Sequence, residues 1–156
     1  MTLDFVRAPL PVRRLSVIVT SLSSDAHTWN LVFLQMLLEE MGCRVTNLGA
    51  CTPDEVIVRE CLARRPDLIV VGTLNGHGLQ DGLRLIGALR DRPGLVRTPV
   101  VIGGRLDTTG ESGGRTATLL LEAGFDAVFD GAAGLGAFRS LVHTLAVGSG
   151  APIDVT

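Results

Sequence analysis

The chain contains no lysine, and that absence removes two functions at once. A Walker-type phosphate loop needs a lysine ammonium against the nucleotide phosphates, and a phosphorelay receiver needs a lysine beside its acidic cluster. Cysteine is scarce as well: Cys43, Cys51 and Cys61 are odd in number and none stands in Cys-x-x-Cys spacing. This excludes a disulfide framework and a zinc site, and a reducing cytoplasm is the expected location. There is no excess of positive charge, since the net charge is −2 and no basic stripe exists; nucleic acid is therefore not an expected partner. Although 46% of residues are hydrophobic and mean hydropathy is +0.38, the apolar residues fall in short runs such as Leu68–Val71 and Val100–Ile102. None approaches the roughly 20 residues that span a bilayer, and no apolar signal segment follows Arg13-Arg14, so neither a membrane helix nor an export signal is expected. Repeats and low-complexity segments are also lacking.

What is present is a rhythm. A chain of 156 residues fits one domain with a single good core. Residues 1–14, with Pro9 and Pro11, read as an N-terminal tail, 15–147 as the domain, and 148–156 as a C-terminal tail. Short β-branched runs predict strands at Ser16–Thr20, Arg44–Leu48, Leu68–Val71, Pro99–Ile102 and Ala127–Phe129. Between them, amphipathic stretches predict helices at Trp29–Met41, Pro53–Arg64, Leu79–Arg90, Thr116–Ala123 and Leu135–Ala146. Thr52-Pro53-Asp54-Glu55 has the form of a capping box with proline at the first helical position. Gly42 and Gly124 stand where helices end in a left-handed residue. Five βα units in succession predict an α/β fold: one doubly wound, five-stranded parallel sheet of the flavodoxin-like (Rossmann-like) kind. Such sheets bind ligands at the carboxyl ends of their strands, where strand order reverses. Functional residues are thus expected in the loops 21–30, 49–52, 72–78, 103–115 and 130–134.

Three of those loops carry unusual residues. The first reads Ser24-Asp25-Ala26-His27-Thr28-Trp29-Asn30. In an extended loop Asp25 and His27 point to one side, so the carboxylate can hold one imidazole nitrogen and leave the other to bind a metal. By itself the pair fits a solvated or helix-capping role equally well. The third loop begins Gly72-Thr73-Leu74 and the fourth Gly103-Gly104-Arg105-Leu106-Asp107-Thr108-Thr109. Glycines at strand ends admit a ligand close to the backbone. Neither loop is Gly-x-Gly-x-x-Gly after the first strand, which disfavours a nicotinamide site.

Taken in order, these segments resemble the cobalamin-binding domain family. Its pattern is Asp-x-His-x-x-Gly, Ser-x-Leu and Gly-Gly; here it stands as Asp25-Ala26-His27-Thr28-Trp29-Asn30, Gly72-Thr73-Leu74 and Gly103-Gly104. Within the family the closest likeness is to the small subunits of glutamate (methylaspartate) mutases, single domains of this size with Ser-Asp-x-His in the first loop. Gly124-Phe125-Asp126-Ala127-Val128 is similar too. Two departures stand out. Asn30 replaces the last glycine of the first motif, and Gly72 replaces the serine whose hydroxyl would bond the base of the cofactor's nucleotide tail.

The resemblance implies that cobalamin binds with its own base detached and His27 on cobalt as the lower axial ligand, with Asp25 behind it. Ser24, Ala26 and Thr28 would line the same loop, and Gly72, Thr73 and Leu74 the slot for the nucleotide tail. Gly103, Gly104, Arg105, Leu106, Asp107, Thr108 and Thr109 would flank that tail. No catalytic residue is expected in this chain itself. The implied role is the coenzyme-binding part of an adenosylcobalamin-dependent mutase, an isomerase component that needs a larger substrate-binding subunit to cover the upper face. A corrinoid carrier or sensor domain, or a module that supports a partner without cofactor, are the alternatives. His77 is expected at the cofactor or partner edge, and His143 on a helix surface. Trp29 would either crowd the tail's channel or pack under the corrin. On the first helix Leu31, Leu34, Leu38 and Met41 form a core stripe, and Phe33, Met36 and Leu37 widen it toward a subunit interface. Arg105 and Asp107 could pair with each other, meet cofactor amides or stand in solvent.

Overall fold

A computed structural model of the chain describes residues 13–74, 76–106, 113–131 and 134–148. Five strands, β1 (Ser16–Thr20), β2 (Arg44–Asn47), β3 (Leu68–Thr73), β4 (Val100–Gly104) and β5 (Ala127–Asp130), alternate with five helices. These are α1 (Trp29–Glu40), α2 (Asp54–Arg64), α3 (Gly78–Arg90), α4 (Gly113–Ala123) and α5 (Leu135–Val147), with a short 3-10 turn at Pro93–Leu95. The strands form one parallel sheet in the order β2-β1-β3-β4-β5. The flavodoxin-like expectation is correct.

Strand periodicity sorts the core into two layers. Val17, Val19, Leu68, Val70 and Val101 pack with Leu31 and Leu38 of α1 and Phe138 and Val142 of α5. Ile18, Ile69, Val71, Val100 and Ile102 pack on the other face with Ile57 of α2, Leu85 and Ile86 of α3 and Leu120 of α4. Continuous β-branched runs serve both faces at once, which is why every residue of β3 is buried. The chain leaves β1 for β2 on one side and crosses to β3 on the other, so the reversal of strand order lies between β1 and β3.

Two local readings change. β3 and β4 run on through the glycines, with Gly72 paired to Gly103 and Thr73 to Gly104, and the Arg105 N–H continues the ladder to the Thr73 carbonyl at 2.8 Å. Glycine is a poor strand former on its own, but the parallel ladder between β3 and β4, continued to β5 at Gly103 and Gly104, outweighs that preference. The capping box is not made. α2 starts at Asp54 with no side-chain cap bond, and the Thr52 hydroxyl donates backward to the carbonyls of Gly49 (2.8 Å) and Leu48 (3.3 Å). Gly42 does end α1 at φ +89°. The expected tails fall almost wholly outside the described residues. No helix among the described residues is long and apolar enough to cross a membrane.

Candidate functional site

At the point where strand order reverses, the loop after β1 meets the end of β3 through one carboxylate. Asp25 is 0% exposed, and each of its oxygens accepts two hydrogen bonds. Oδ1 takes the His27 backbone N–H at 2.9 Å and the His27 ring Nδ1 at 2.7 Å. Oδ2 takes the Thr73 hydroxyl at 2.7 Å and the Leu74 N–H at 2.7 Å. Burial pushes this carboxyl up, yet the bonds from the His27 N–H, the Thr73 hydroxyl, the Leu74 N–H and the His27 ring outweigh it and hold the pKa at about 2. An ionised carboxylate can only accept, so Nδ1 carries the proton of the neutral imidazole and Nε2 keeps the lone pair. The His27 side chain is 55% exposed. Asp25 thus fixes both the tautomer and the orientation of a ring that is open to a ligand.

The loop itself is tied down from below. The Asp25 N–H bonds the Leu22 carbonyl at 3.0 Å, and the Asp25 carbonyl accepts from the Cys51 N–H at 2.8 Å. Leu22 is buried in the α2–α4 layer. Arg84 of α3 donates to Ser23 Oγ at 2.8 Å, Asp54 Oδ2 at 2.7 Å and Asp81 Oδ1 at 3.2 Å, and the Ser24 hydroxyl also bonds Asp81. Sequence reading missed Arg84, Asp81 and Asp54, because only the fold brings α2 and α3 beneath this loop.

Beside the loop, on the α1–α5 face, lies a cavity of about 540 Å³. Its walls are mostly hydrocarbon: Phe33 and Leu34 of α1, Val70 and Val101 of the sheet, and Phe129, Leu135 and Phe138. Gly72, Leu74, Gly103, Gly104 and Arg105 also line it, together with Asn30. Of the predicted slot residues, Thr73 is turned away from it, since its side chain lies on the opposite face and braces Asp25. Leu106 likewise packs into the α2–α4 layer, against Gly78. Ala26 and Thr28 are exposed on the loop. Asp107, Thr108 and Thr109 lie outside the described residues, and with them the pairing of Arg105 with Asp107. His77 is exposed at the start of α3, and His143 is exposed on α5.

Trp29 is 84% exposed and lines no part of the cavity; the channel is not crowded by its indole. With Phe33 and Met36, also exposed, it forms a stripe at helical spacing along α1, while Leu37 joins the core. Exposed apolar side chains in a row are open to contact with another molecule.

Gly104 shows how tightly the strand ends are built. Its φ is +115°, and an added β-carbon would lie 2.0 Å from the Thr73 carbonyl oxygen. The glycine is therefore demanded by the sheet itself, next to the residue that holds Asp25. Gly104→Ala is expected to lower stability by about 3 kcal/mol, from backbone strain and overlap together. Denaturant unfolding checks this.

Among the described residues no three His, Cys, Asp or Glu side chains converge to hold a metal ion. Cys61 is buried and its thiol is pushed up to about 12, by burial first and then by Glu60. One oriented imidazole cannot cage a bare cation, but it can complete the coordination of a metal that brings its own equatorial ligands. An apolar cavity with glycine in its walls suits a bulky, largely apolar group.

Comparison with known proteins meets this geometry. The family described as the B12 binding domain matches residues 15–133. The chain is 32% identical to the glutamate mutase sigma subunit of Halobacterium salinarum over 130 residues, covering 83% of this chain and 85% of that one. Among solved structures it resembles a cobalamin-binding protein from Desulfitobacterium hafniense, with a TM-score of 0.66 and 18% identity over 83% of this chain and 59% of the other. The signal receiver domain of a histidine kinase from Syntrophus aciditrophicus is also similar, with a TM-score of 0.64 and 22% identity over 91% of this chain and 97% of that one. At these identities the structural likenesses speak for the fold alone.

Proposed function

Since this chain belongs to the B12-binding domain family, we propose that it holds cobalamin base-off, with Nε2 of His27 as the lower axial ligand to cobalt and the nucleotide tail in the cavity between α1, α5 and the sheet. The observation that carries this reading is the fully hydrogen-bonded Asp25–His27 pair, tied through the Leu74 N–H to a residue that lines an apolar cavity with glycine in its walls. Bound cobalamin would supply a carbon–cobalt bond on its upper face. This chain's own residues orient and position. Asp25 keeps the proton on Nδ1, Thr73 and Leu74 hold Asp25, and the Arg84 network fixes the loop. Gly72 and Gly103 would line the tail's slot with backbone, and the hydrocarbon walls would keep water from it. Asp107, Thr108 and Thr109 would flank the tail.

Sequence similarity to a glutamate mutase sigma subunit supports a mutase-type role, with adenosylcobalamin as the working form. In that role the chain is a component of an isomerase in the cytoplasm. It presents the upper face to a larger substrate-binding subunit and turns over nothing alone. The Trp29–Phe33–Met36 stripe lies on the helix that starts directly after His27, where such a subunit would reach it. The absence of lysine removes the receiver-domain alternative despite the shared fold.

Titration of the purified chain with cobalamin, followed by visible absorption, tests the reading. A saturable change to the spectrum of base-off, histidine-ligated cofactor is expected. An unchanged spectrum overturns it.

A further inference from the structure

The two departures from the family motif face each other across the cavity wall. A β-carbon added to Gly72 would stand 3.0 Å from Leu34 Cδ1 and 3.2 Å from Asn30 Nδ2. A side chain at position 72 and the asparagine at position 30 therefore compete for the same volume. Asn30 Oδ1 is buried and has no hydrogen-bond partner, a condition that a fold sustains only at a cost. The ordinary local reason for an asparagine at a helix start does not apply either, since the N-cap of α1 is Thr28 and Asn30 lies inside the helix. Both residues line the cavity, where the neighbouring walls are hydrocarbon.

We propose that Asn30 and Gly72 are a reciprocal exchange, in which the Asn30 amide moves the polar contact for the tail's base from β3 to α1 and so helps determine which corrinoids the cavity retains. The proposal rests on the reading that the nucleotide tail occupies this cavity. The amide offers a donor and an acceptor and can exchange them by turning about its last torsion. It can meet a ring nitrogen or an amino group of the base. Gly72 is what makes room for it.

The test compares cobalamin with cobinamide, the same corrin without its nucleotide, by titration of the wild-type chain, Asn30→Ala, Gly72→Ser and the double variant Asn30→Ala/Gly72→Ser. Alanine is the better helix former at position 30, so the fold is retained, and thermal melts confirm it. Asn30→Ala is expected to weaken cobalamin binding about tenfold and to leave cobinamide binding unchanged. Gly72→Ser alone weakens cobalamin through crowding, and the double variant recovers part of the loss, because a hydroxyl returns and the amide no longer crowds it while the Leu34 contact remains. Equal cobalamin affinity of Asn30→Ala and wild type overturns the inference alone. So does an equal loss for both ligands, or two substitutions whose effects simply add. A wild-type chain that takes up neither corrinoid overturns the parent reading of the site, and this inference with it.

Discussion

His27→Ala is expected to fold as the wild type does and to lose the histidine-ligated spectrum, with cobalamin affinity reduced more than about 100-fold. The fold survives because the ring is half exposed and Asp25 keeps three of its four donors, from the His27 N–H, Thr73 and Leu74. The binding loss expected is large because even partners behind a metal ligand are worth about 10–100-fold in affinity, and this substitution would remove the proposed ligand itself. Circular dichroism and a cobalamin titration on the same sample separate the two effects. A variant that binds as tightly as wild type and shifts the spectrum equally would remove His27 from cobalt.

Asp25→Ala is expected to strike both fold and site. Four donors now aimed at one carboxylate would lose their acceptor, two of them backbone N–H groups. The His27 ring is half exposed and turns to water, so at about 1 kcal/mol for each of the other three groups the loss comes to about 3 kcal/mol. The imidazole would also lose what fixes its proton on Nδ1, so the affinity for cobalamin should fall by about 10–100-fold. The variant should differ from wild type in acid as well. The folded pKa of Asp25, about 2, lies below its ordinary 3.8, so the unfolded chain takes up the proton more readily. The stability this contributes, about 2 kcal/mol, is complete at neutral pH. It declines as pH falls through 3.8 and is gone below the folded value. Wild type should therefore show an acid-labile component between about pH 5 and 2 that Asp25→Ala lacks. Chemical unfolding as a function of pH measures it, and identical acid limbs would contradict the assignment.

Much of this was legible before any coordinates. β1 begins and ends where its β-branched run does, and α1, α2 and α5 fall within a residue of the periodic stretches. This follows because buried strands and amphipathic helices write their periods directly into the chain. The ends of β3 and β4 were not legible, since glycine argues locally for a turn while the ladder between Gly72 and Gly103 is a property of the sheet. The threonine of the apparent capping box was misread for a related reason: nearby carbonyls of Leu48 and Gly49 compete for its hydroxyl, and their position depends on where β2 ends.

The site divides the same way. That Asp25 and His27 could share a hydrogen bond follows from their spacing. That Thr73 and Leu74 would close the other half of the carboxylate does not, because it requires β1 and β3 to be neighbours at the switch point. Strand alternation turns the Thr73 side chain the opposite way from Gly72 if the strand continues there, and it does: Gly72 faces the cavity and Thr73 the other side. The opposition of Asn30 and Gly72 was also invisible in sequence, where they read as two separate losses rather than one exchange.

Electron paramagnetic resonance reads directly which nitrogen binds cobalt. The chain labelled with nitrogen-15 histidine is mixed with unlabelled cobalamin in the cobalt(II) state. If Nε2 of His27 binds cobalt, the high-field lines split into doublets from the labelled nitrogen, and the doublets vanish in His27→Ala. Triplets from the cofactor's own unlabelled base, unchanged by the label, would contradict the account.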